Sequence, residues 1–297
     1  MIDKKFLNFL QFEKRYSLNT IIAYETDLTQ FKDFVKSNYS IDDLSTANHH
    51  IIRSWIVNQI EEGVGSRSVN RKISVLKSFY KFLLKQKLIS QSPMSKIVSP
   101  KTGKRLPVFI DKPKMQKLLS EDIPGDDFTA VRDNLIIDLF YNSGIRLSEL
   151  VNLSLSAFDT ISYTMKVLGK RNKERIIPYS TPLADMLSAY IKSRSELLSM
   201  TKLADHGKLF ICKNGKPVYQ KLVYRVVKEQ IGKVSTASKR SPHVLRHTFA
   251  THMLENGADI NAVKELLGHS SLAATQVYTH NTIEKLKNAH RQAHPKG

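Results

Sequence analysis

The chain has 297 residues, of which 41% are hydrophobic and 25% are charged. It can bury the core of one or two domains and is too apolar for a disordered protein. Lys and Arg number 46 against 27 Asp and Glu, and the formal net charge of +19 favours a polyanionic partner such as nucleic acid. The single cysteine, Cys212, cannot form an internal disulfide and excludes most structural zinc sites.

The first residues, MIDKKFLNFLQF, form an amphipathic segment without the apolar core or cleavage site of a signal peptide. No apolar run approaches the roughly 18 residues that a membrane-spanning helix requires. We therefore expect a cytoplasmic protein that has no membrane partner.

Residues 1–86 have the pattern of a helical domain. Ser17 is a candidate N-cap for a helix whose apolar residues recur at steps of three and four, and Trp55 is predicted to lie in the core. The apolar stripe of that first helix consists of Ile21, Tyr24, Leu28, Phe31 and Val35, and the residues predicted around Trp55 are Ile51, Ile52, Ile56 and Ile60.

A further helix is predicted from Ser66 onward, and its polar faces are strongly basic. The pattern fits either an ordinary solvated face or a helix that contacts DNA phosphates, and the net charge favours the second interpretation. The candidate DNA-binding residues of this helix are Arg67, Arg71, Lys72 and Lys77.

Residues 87–107, KLISQSPMSKIVSPKTGKRLP, have the composition of an interdomain linker. The stretch contains three prolines, a glycine and several basic residues but no acidic one. A linker that lies along the phosphate backbone of DNA would have this composition, with Lys104 and Arg105 as candidate DNA-binding residues, although a solvated loop would have the same composition.

Residues 108–297 mix helices with a short sheet. A helix breaks at Gly144 and a second one begins near Arg146, while TMKVLGKRNKERIIPY reads as two short strands around a polar turn, with Lys170 at its tip. The chain as a whole is therefore predicted to be mainly α-helical with a small β-sheet, an α+β fold.

A helix is also predicted for HVLRHTFATHMLENG, because Ser241 and Pro242 supply an N-cap and a first-turn proline. Gly257 is expected to follow its end. His243, Arg246 and His247 share one face of this helix, whereas Leu245, Phe249 and Met253 form an opposite, buried stripe.

One rival function at this helix is a zinc protease. His243 and His247 have the i, i+4 spacing of zinc ligands in those enzymes, but Val244 stands where the catalytic glutamate is needed. We therefore expect no metal.

Four ordered motifs resemble those of the tyrosine recombinases, specifically the Xer subfamily. They are GIRLSEL (144–150), GKRNKER (169–175), SPHVLRHTFATHMLENGAD (241–259) and ELLGHSSLAATQVYTH (265–280), and the resemblance extends over the whole chain. It implies a clamp-like protein in which a helical core-binding domain is joined to a catalytic domain.

The resemblance also implies an active site and its chemistry, without metal, ATP or another cofactor. Tyr278 would attack the scissile phosphate and remain bound to it as a 3′-phosphotyrosine. Glu149 would orient a neighbouring imidazole from outside the reacting groups. The implied catalytic residues are Arg146 and Arg246 for transition-state charge, His243 and His269 as phosphate or proton partners, Lys170 as general acid and Tyr278 as nucleophile.

The implied partners are double-stranded DNA, further protomers in a homo- or hetero-tetramer with a sister recombinase, and a septal DNA translocase. The amphipathic tail HNTIEKLKNAHRQAHPKG is expected to dock onto a neighbouring protomer, with an intramolecular helix as the alternative. Chromosome-dimer resolution is the role that the subfamily favours. Two other functions remain open at this point: a mobile-element integrase or invertase of the same fold, and a non-catalytic DNA-binding regulator that uses a helix-turn-helix around Gly257.

Overall fold

In the computed structural model the described residues are 2–103, 108–120, 127–169, 173–237, 239–268 and 280–295, the last range with side chains from Leu286 onward. The chain divides into two compact units, Met1–Arg105 and Leu106–Gly297.

The N-terminal unit is helical. Ser17 caps its second helix as predicted, because the hydroxyl oxygen accepts the Thr20 backbone N–H at 3.4 Å, and Asn48 caps the third helix. The α-helices of this unit are α1 (Ile2–Asn8), α2 (Leu18–Tyr39), α3 (His49–Glu61) and α4 (Ser66–Lys85).

The core of this unit surrounds Trp55, which is 1% exposed and packs against Phe31 with ring centroids 5.0 Å apart. The predicted stripe of α2 is buried at four positions and partly buried at Tyr24. Ile60 departs from the prediction: it lies in the last turn of α3 and is 49% exposed.

The N-terminal unit extends beyond α4. Met94 and Ile97, in the stretch that we interpreted as linker, are buried in its core, and the Asn70 side chain donates a hydrogen bond of 2.9 Å to the carbonyl of Pro100. Apolar residues spaced through the first part of the basic stretch therefore anchor it to this unit, while Lys87, Lys96 and Lys101 remain on the surface.

The C-terminal unit contains the sheet. β2 pairs antiparallel with both neighbours, and the predicted hairpin is confirmed by the pairing of Thr164 with Pro178 and of Leu168 with Glu174. The two-residue strand β1 was not predicted. The elements of this unit are α5 (Lys112–Leu119), α6 (Phe128–Ser143), α7 (Leu147–Asn152), β1 (Phe158–Asp159), β2 (Thr164–Leu168), β3 (Glu174–Pro178), α8 (Thr181–Thr201), α9 (Gln220–Val234), α10 (Pro242–Glu255), α11 (Ile260–Leu267) and α12 (His280–Ala293).

Helices α6 and α10 form the buried centre of this unit. Nearly all of α6 from Leu135 onward is buried, and it packs against α8 and α10. The stripe predicted for α10, Leu245, Phe249 and Met253, is fully buried. The described part of the chain is mainly helical with one small sheet, and this confirms the predicted fold class.

The tail helix α12 packs on the C-terminal unit of the same chain. It packs against α10, α11 and β3. Leu286, His290 and Ala293 of this helix are buried, as is His294 directly after it. In the single chain the tail thus forms an intramolecular helix, the alternative given above, whereas docking of the tail onto a neighbouring protomer stays a prediction. Among the described residues, none of the helices combines the length and the hydropathy of a membrane-spanning segment.

Candidate active site

Arg146 stands at the junction of two helices. α6 ends at Ser143, Gly144 takes the left-handed conformation with φ +57°, and α7 begins directly after Arg146. A Cβ atom at Gly144 would lie 2.6 Å from the ring of Phe249, so tight packing and backbone conformation both require glycine. This turn sets the point from which the Arg146 side chain leaves the backbone.

Glu149, one turn into α7, holds Arg146 by two hydrogen bonds. One carboxylate oxygen accepts the backbone N–H of Arg146 at 2.8 Å, and the other accepts its guanidinium Nη1 at 2.7 Å. The first bond satisfies an N–H that has no partner within the helix, and the second is a charge-assisted bond. The described bonds of Glu149 go to arginines, whereas we expected it to orient an imidazole.

Arg175, on β3, is the main partner of Glu149, and the sequence analysis did not single it out. Its guanidinium donates to the two carboxylate oxygens at 2.9 and 2.8 Å, and its Nε donates to the carbonyl of Leu266 at 2.8 Å. The side chain is 4% exposed. Arg175 therefore joins the hairpin, the start of α7 and the end of α11 through one planar group.

Arg246 reaches the same region from α10. Its guanidinium donates to the carbonyls of Gly144 at 2.5 Å and Leu267 at 2.6 Å, while Arg146 donates to the carbonyl of Gly268 at 2.9 Å. Two predicted catalytic arginines thus lie on neighbouring carbonyls where α11 ends. The Arg146 side chain is still 30% exposed, and Arg246 is partly buried.

The electrostatics of this cluster follow from burial and from charge. Burial would raise the pKa of Glu149, but the hydrogen bonds and charge of Arg175, followed by bonds from Arg146, outweigh it and lower the pKa to about 2. Burial, then the charges of Arg146 and Arg175, lowers the pKa of Arg246 to about 10. At neutral pH three guanidinium cations therefore surround one carboxylate, and this excess of fixed positive charge suits a phosphate.

The other predicted catalytic residues are placed unequally. His243 lies exposed in the first turn of α10, on the face that carries Arg246. Lys170, His269 and Tyr278 lie outside the described residues. The glycines directly before two of them are described, and both lie at the cluster: a Cβ atom at Gly169 would be 3.4 Å from Glu149 Oε1, and one at Gly268 would be 3.1 Å from Arg175 Cδ.

The basic residues predicted on α4 differ in their surroundings. Arg67 and Lys77 are exposed, and Arg71 is half exposed while it binds the buried carboxylate of Asp27. Lys72 is 6% exposed; its ammonium lies 5.4 Å from the Trp55 ring centroid and bonds Gln30, which are contacts inside the unit. This burial argues against the phosphate contact predicted for Lys72. Lys104 and Arg105 lie outside the described residues.

A basic groove of about 490 Å³ lies along α9, in the C-terminal unit, and no motif in the sequence indicated it. Its cationic residues are three from α9 and one from the loop that follows, namely Arg225, Lys228, Lys233 and Arg240. Gly232 gives room to this loop residue, because a Cβ atom there would lie 2.9 Å from the Arg240 guanidinium. The groove offers a second positive surface in the same unit as the arginine cluster.

A metal site requires ligands that the described residues do not bring together. Within the described ranges no group of three or more His, Cys, Asp or Glu side chains could hold a metal ion.

Two family models together match most of the chain. The description "Phage integrase family" matches residues 109–285, and "Phage integrase, N-terminal SAM-like domain" matches residues 4–87. The tyrosine recombinase XerC of Bacillus subtilis is 35% identical over 294 residues, with 99% of this chain and 96% of the relative covered. The tyrosine recombinase XerC of Chlorobaculum parvum is 35% identical over 312 residues, covering 98% and 93%.

Solved structures share the fold. The XerH site-specific recombinase bound to a palindromic difH substrate, in a post-cleavage complex, has a TM-score of 0.72 at 21% identity, with 97% of this chain and 83% of that chain covered. A lambda integrase dimer bound to a COC′ core site has a TM-score of 0.66 at 16% identity, covering 94% and 97%. With the two family models and the relatives of matching length, these findings show that the chain belongs to the phage integrase family and is a tyrosine recombinase, an enzyme that cuts and rejoins DNA.

Proposed function

We propose that the chain exchanges DNA strands through a covalent bond between Tyr278 and a DNA 3′-phosphate. The observation that carries this proposal is the arginine cluster: Arg146 and Arg246 are held on backbone carbonyls at the end of α11, and Arg175 donates two hydrogen bonds to the Glu149 carboxylate. Arg146 and Arg246 then keep positive charge for the phosphate.

In the first step the phenol oxygen of Tyr278 attacks phosphorus, the new bond forms, and the bond from phosphorus to the 5′-oxygen breaks. At a pKa of about 10 the phenol is ionised in roughly one molecule in a thousand at pH 7, a handicap of about 4 kcal/mol. Arg146 and Arg246 offset it by binding the non-bridging oxygens, whose charge grows in the transition state. His243 or His269 takes the phenol proton, and Lys170 gives a proton to the departing 5′-oxygen.

Rejoining reverses these steps on a new partner strand. Its 5′-hydroxyl attacks the phosphotyrosine, the phenol leaves, and a phosphodiester forms. Since the covalent bond to Tyr278 retains the energy of the original phosphodiester, the exchange requires no ATP.

The roles that we propose for the two parts of the chain follow the two family models. The helical residues 1–86 and the basic stretch 87–107 hold the duplex, and residues 108–297 carry out the chemistry, with the α9 groove as a further DNA contact. The net charge of +19 supports this division. Residues that would contact phosphates include Arg67, Arg71, Lys77, Lys104 and Arg105.

The biological role that we propose is chromosome-dimer resolution in the bacterial cytoplasm, supported by the XerC name of the relatives. A lambda integrase tetramer bound to a Holliday junction shares the fold, with a TM-score of 0.65. We extend this to a tetramer of identical or sister recombinases on DNA, and to a septal DNA translocase as a further partner.

The test is to trap the enzyme on genomic fragments that carry a nick beside the cleavage point, and to sequence the bound DNA. A dimeric chromosome has two copies of any single chromosomal site, and recombination between them restores monomers. Dimer resolution therefore predicts one trapped site that occurs once per chromosome. Trapping at the ends of a mobile element would replace this role with integration.

A further inference from the structure

The last turn of α6 receives two hydrogen bonds from the C-terminal tail, one from α12 and one from the residue directly after that helix. The final carbonyls of α6 have no partner within the helix. His290 Nε2 lies 2.8 Å from the carbonyl oxygen of Asn142, and His294 Nε2 lies 2.9 Å from that of Tyr141. Because a carbonyl oxygen only accepts, each imidazole carries a proton on Nε2 and donates it.

These histidines form a packed unit rather than a loose surface contact. They are 3% and 4% exposed, and their rings are parallel, with an interplanar angle of 2° and centroids 4.8 Å apart. The Asn256 side chain donates to the carbonyl of Ala293 at 2.7 Å and fixes the end of α12 as well. Burial lowers the pKa of His290, which favours the neutral ring in this position.

The same turn of α6 leads into the active site. Gly144 follows it directly, and its carbonyl accepts a hydrogen bond from Arg246, while Arg146 lies two residues later, directly before α7. The carbonyls of residues 141, 142 and 144 are thus bonded by two tail histidines and one active-site arginine. A shift of this turn would move Arg146 relative to Glu149 and Arg246.

We infer that His290 and His294 are positioning residues, through which the docked tail helix fixes the end of α6 and hence the place of Arg146. The catalytic consequence of this inference rests on the function proposed above, whereas its structural part does not. Tail docking and arginine placement then form one linked event, and an enzyme whose tail is undocked has a misplaced Arg146.

Two double variants separate the effect of the histidine hydrogen bonds from the effect of the volume that the two side chains fill. His290→Gln with His294→Gln keeps an N–H donor near the position of Nε2, whereas His290→Leu with His294→Leu keeps apolar volume and removes both donors. His206→Leu, at an exposed histidine of the same unit, is the matched control. Amide hydrogen exchange is followed by mass spectrometry on peptides from residues 141–152 of the full chain without DNA.

The leucine pair is expected to speed exchange in residues 144–150 by about tenfold, whereas the glutamine pair stays within about threefold of the wild type. On saturating nicked DNA, the cleavage rate of the leucine pair should fall about 10-fold to 100-fold while the Kd for DNA changes less than about twofold. Rescue by glutamine, which returns the donors without the ring, supports positioning through the hydrogen bonds.

Unchanged exchange in residues 141–152 of the leucine pair would overturn the inference. So would equal damage in the leucine and glutamine pairs that is confined to α12, because the histidines would then only anchor the tail. If the wild type cuts no DNA at all, the proposed function fails, and the exchange comparison still decides the structural inference.

Discussion

Replacing Arg175 with methionine tests how the active site is held together. The side chain is 4% exposed and makes three hydrogen bonds, two to Glu149 and one to the carbonyl of Leu266. Methionine fills similar volume but leaves a buried carboxylate with Arg146 as its remaining described partner. Removing one member of a buried pair costs about 3 to 5 kcal/mol.

The pKa of Glu149 indicates a stabilisation of similar size, summed over burial and the bonds of both Arg175 and Arg146. It falls from 4.5 to about 2 in the folded chain, which corresponds to about 3 kcal/mol at 1.36 kcal/mol per pKa unit, and Arg175 is the largest favourable contributor. For a unit of this size about 1 kcal/mol shifts Tm by about 2 to 4 °C, so Arg175→Met should lower Tm by roughly 6 to 20 °C. Arg175→Lys keeps the charge but not the paired bonds, and should lose about half as much.

Thermal unfolding of the full chain by circular dichroism measures this effect. Trp55 is the only tryptophan of the sequence and lies in the core of the N-terminal unit, so its fluorescence follows that unit and serves as an internal control. We expect the tryptophan signal to keep its wild-type midpoint, while the Tm of the C-terminal unit in the circular dichroism trace falls. A Tm of the C-terminal unit within about 1 °C of the wild type would refute the reasoning.

Four further predictions concern charge, proton transfer and the tail. Because the pKa of Glu149 is depressed, its contribution to the free energy of unfolding is complete above about pH 4.5 and is lost as the pH falls toward 2. Urea unfolding at a series of pH values should show this loss, and Glu149→Gln should abolish it. An unchanged acid profile in Glu149→Gln would contradict the assignment of the loss to Glu149. Lys170→Ala should stop cleavage, and DNA with a 5′-thio leaving group should restore it; without rescue, the acid is another residue. Arg225→Ala in the α9 groove should reduce the slope of log K for DNA binding against log salt concentration by about 1, whereas the control Lys192→Ala, at an exposed lysine, should not. Equal slopes for the two variants would show that the groove does not contact DNA. Deleting residues 282–297 should weaken cooperative DNA binding, and unchanged cooperativity would exclude exchange of the tail between protomers.

Local sequence signals predicted the elements that depend on local chemistry. Ser17, Gly144 and the Ser241–Pro242 pair mark helix boundaries by caps, backbone conformation and a fixed φ, and each lies at the boundary of a helix in the structure. The polar turn between two β-rich runs likewise gave the hairpin. These features need no knowledge of distant residues.

Contacts between distant segments could not be predicted in this way. Lys72 appears on a basic helix face, and its burial depends on Asp27 and Gln30, which are more than 40 residues away. The alternating pattern of β3 does not say which face meets a carboxylate, so Arg175 resembled any charged strand residue. The amphipathic tail was recognised, but the surface that receives His290 is built by another helix.

The most direct test of the account is to trap the covalent intermediate on a nicked suicide substrate and map the attachment by mass spectrometry. We predict a 3′-phosphoryl strand bound to Tyr278, and no adduct from Tyr278→Phe while DNA binding is retained. An adduct on another residue, or an undiminished adduct in Tyr278→Phe, would contradict the central claim.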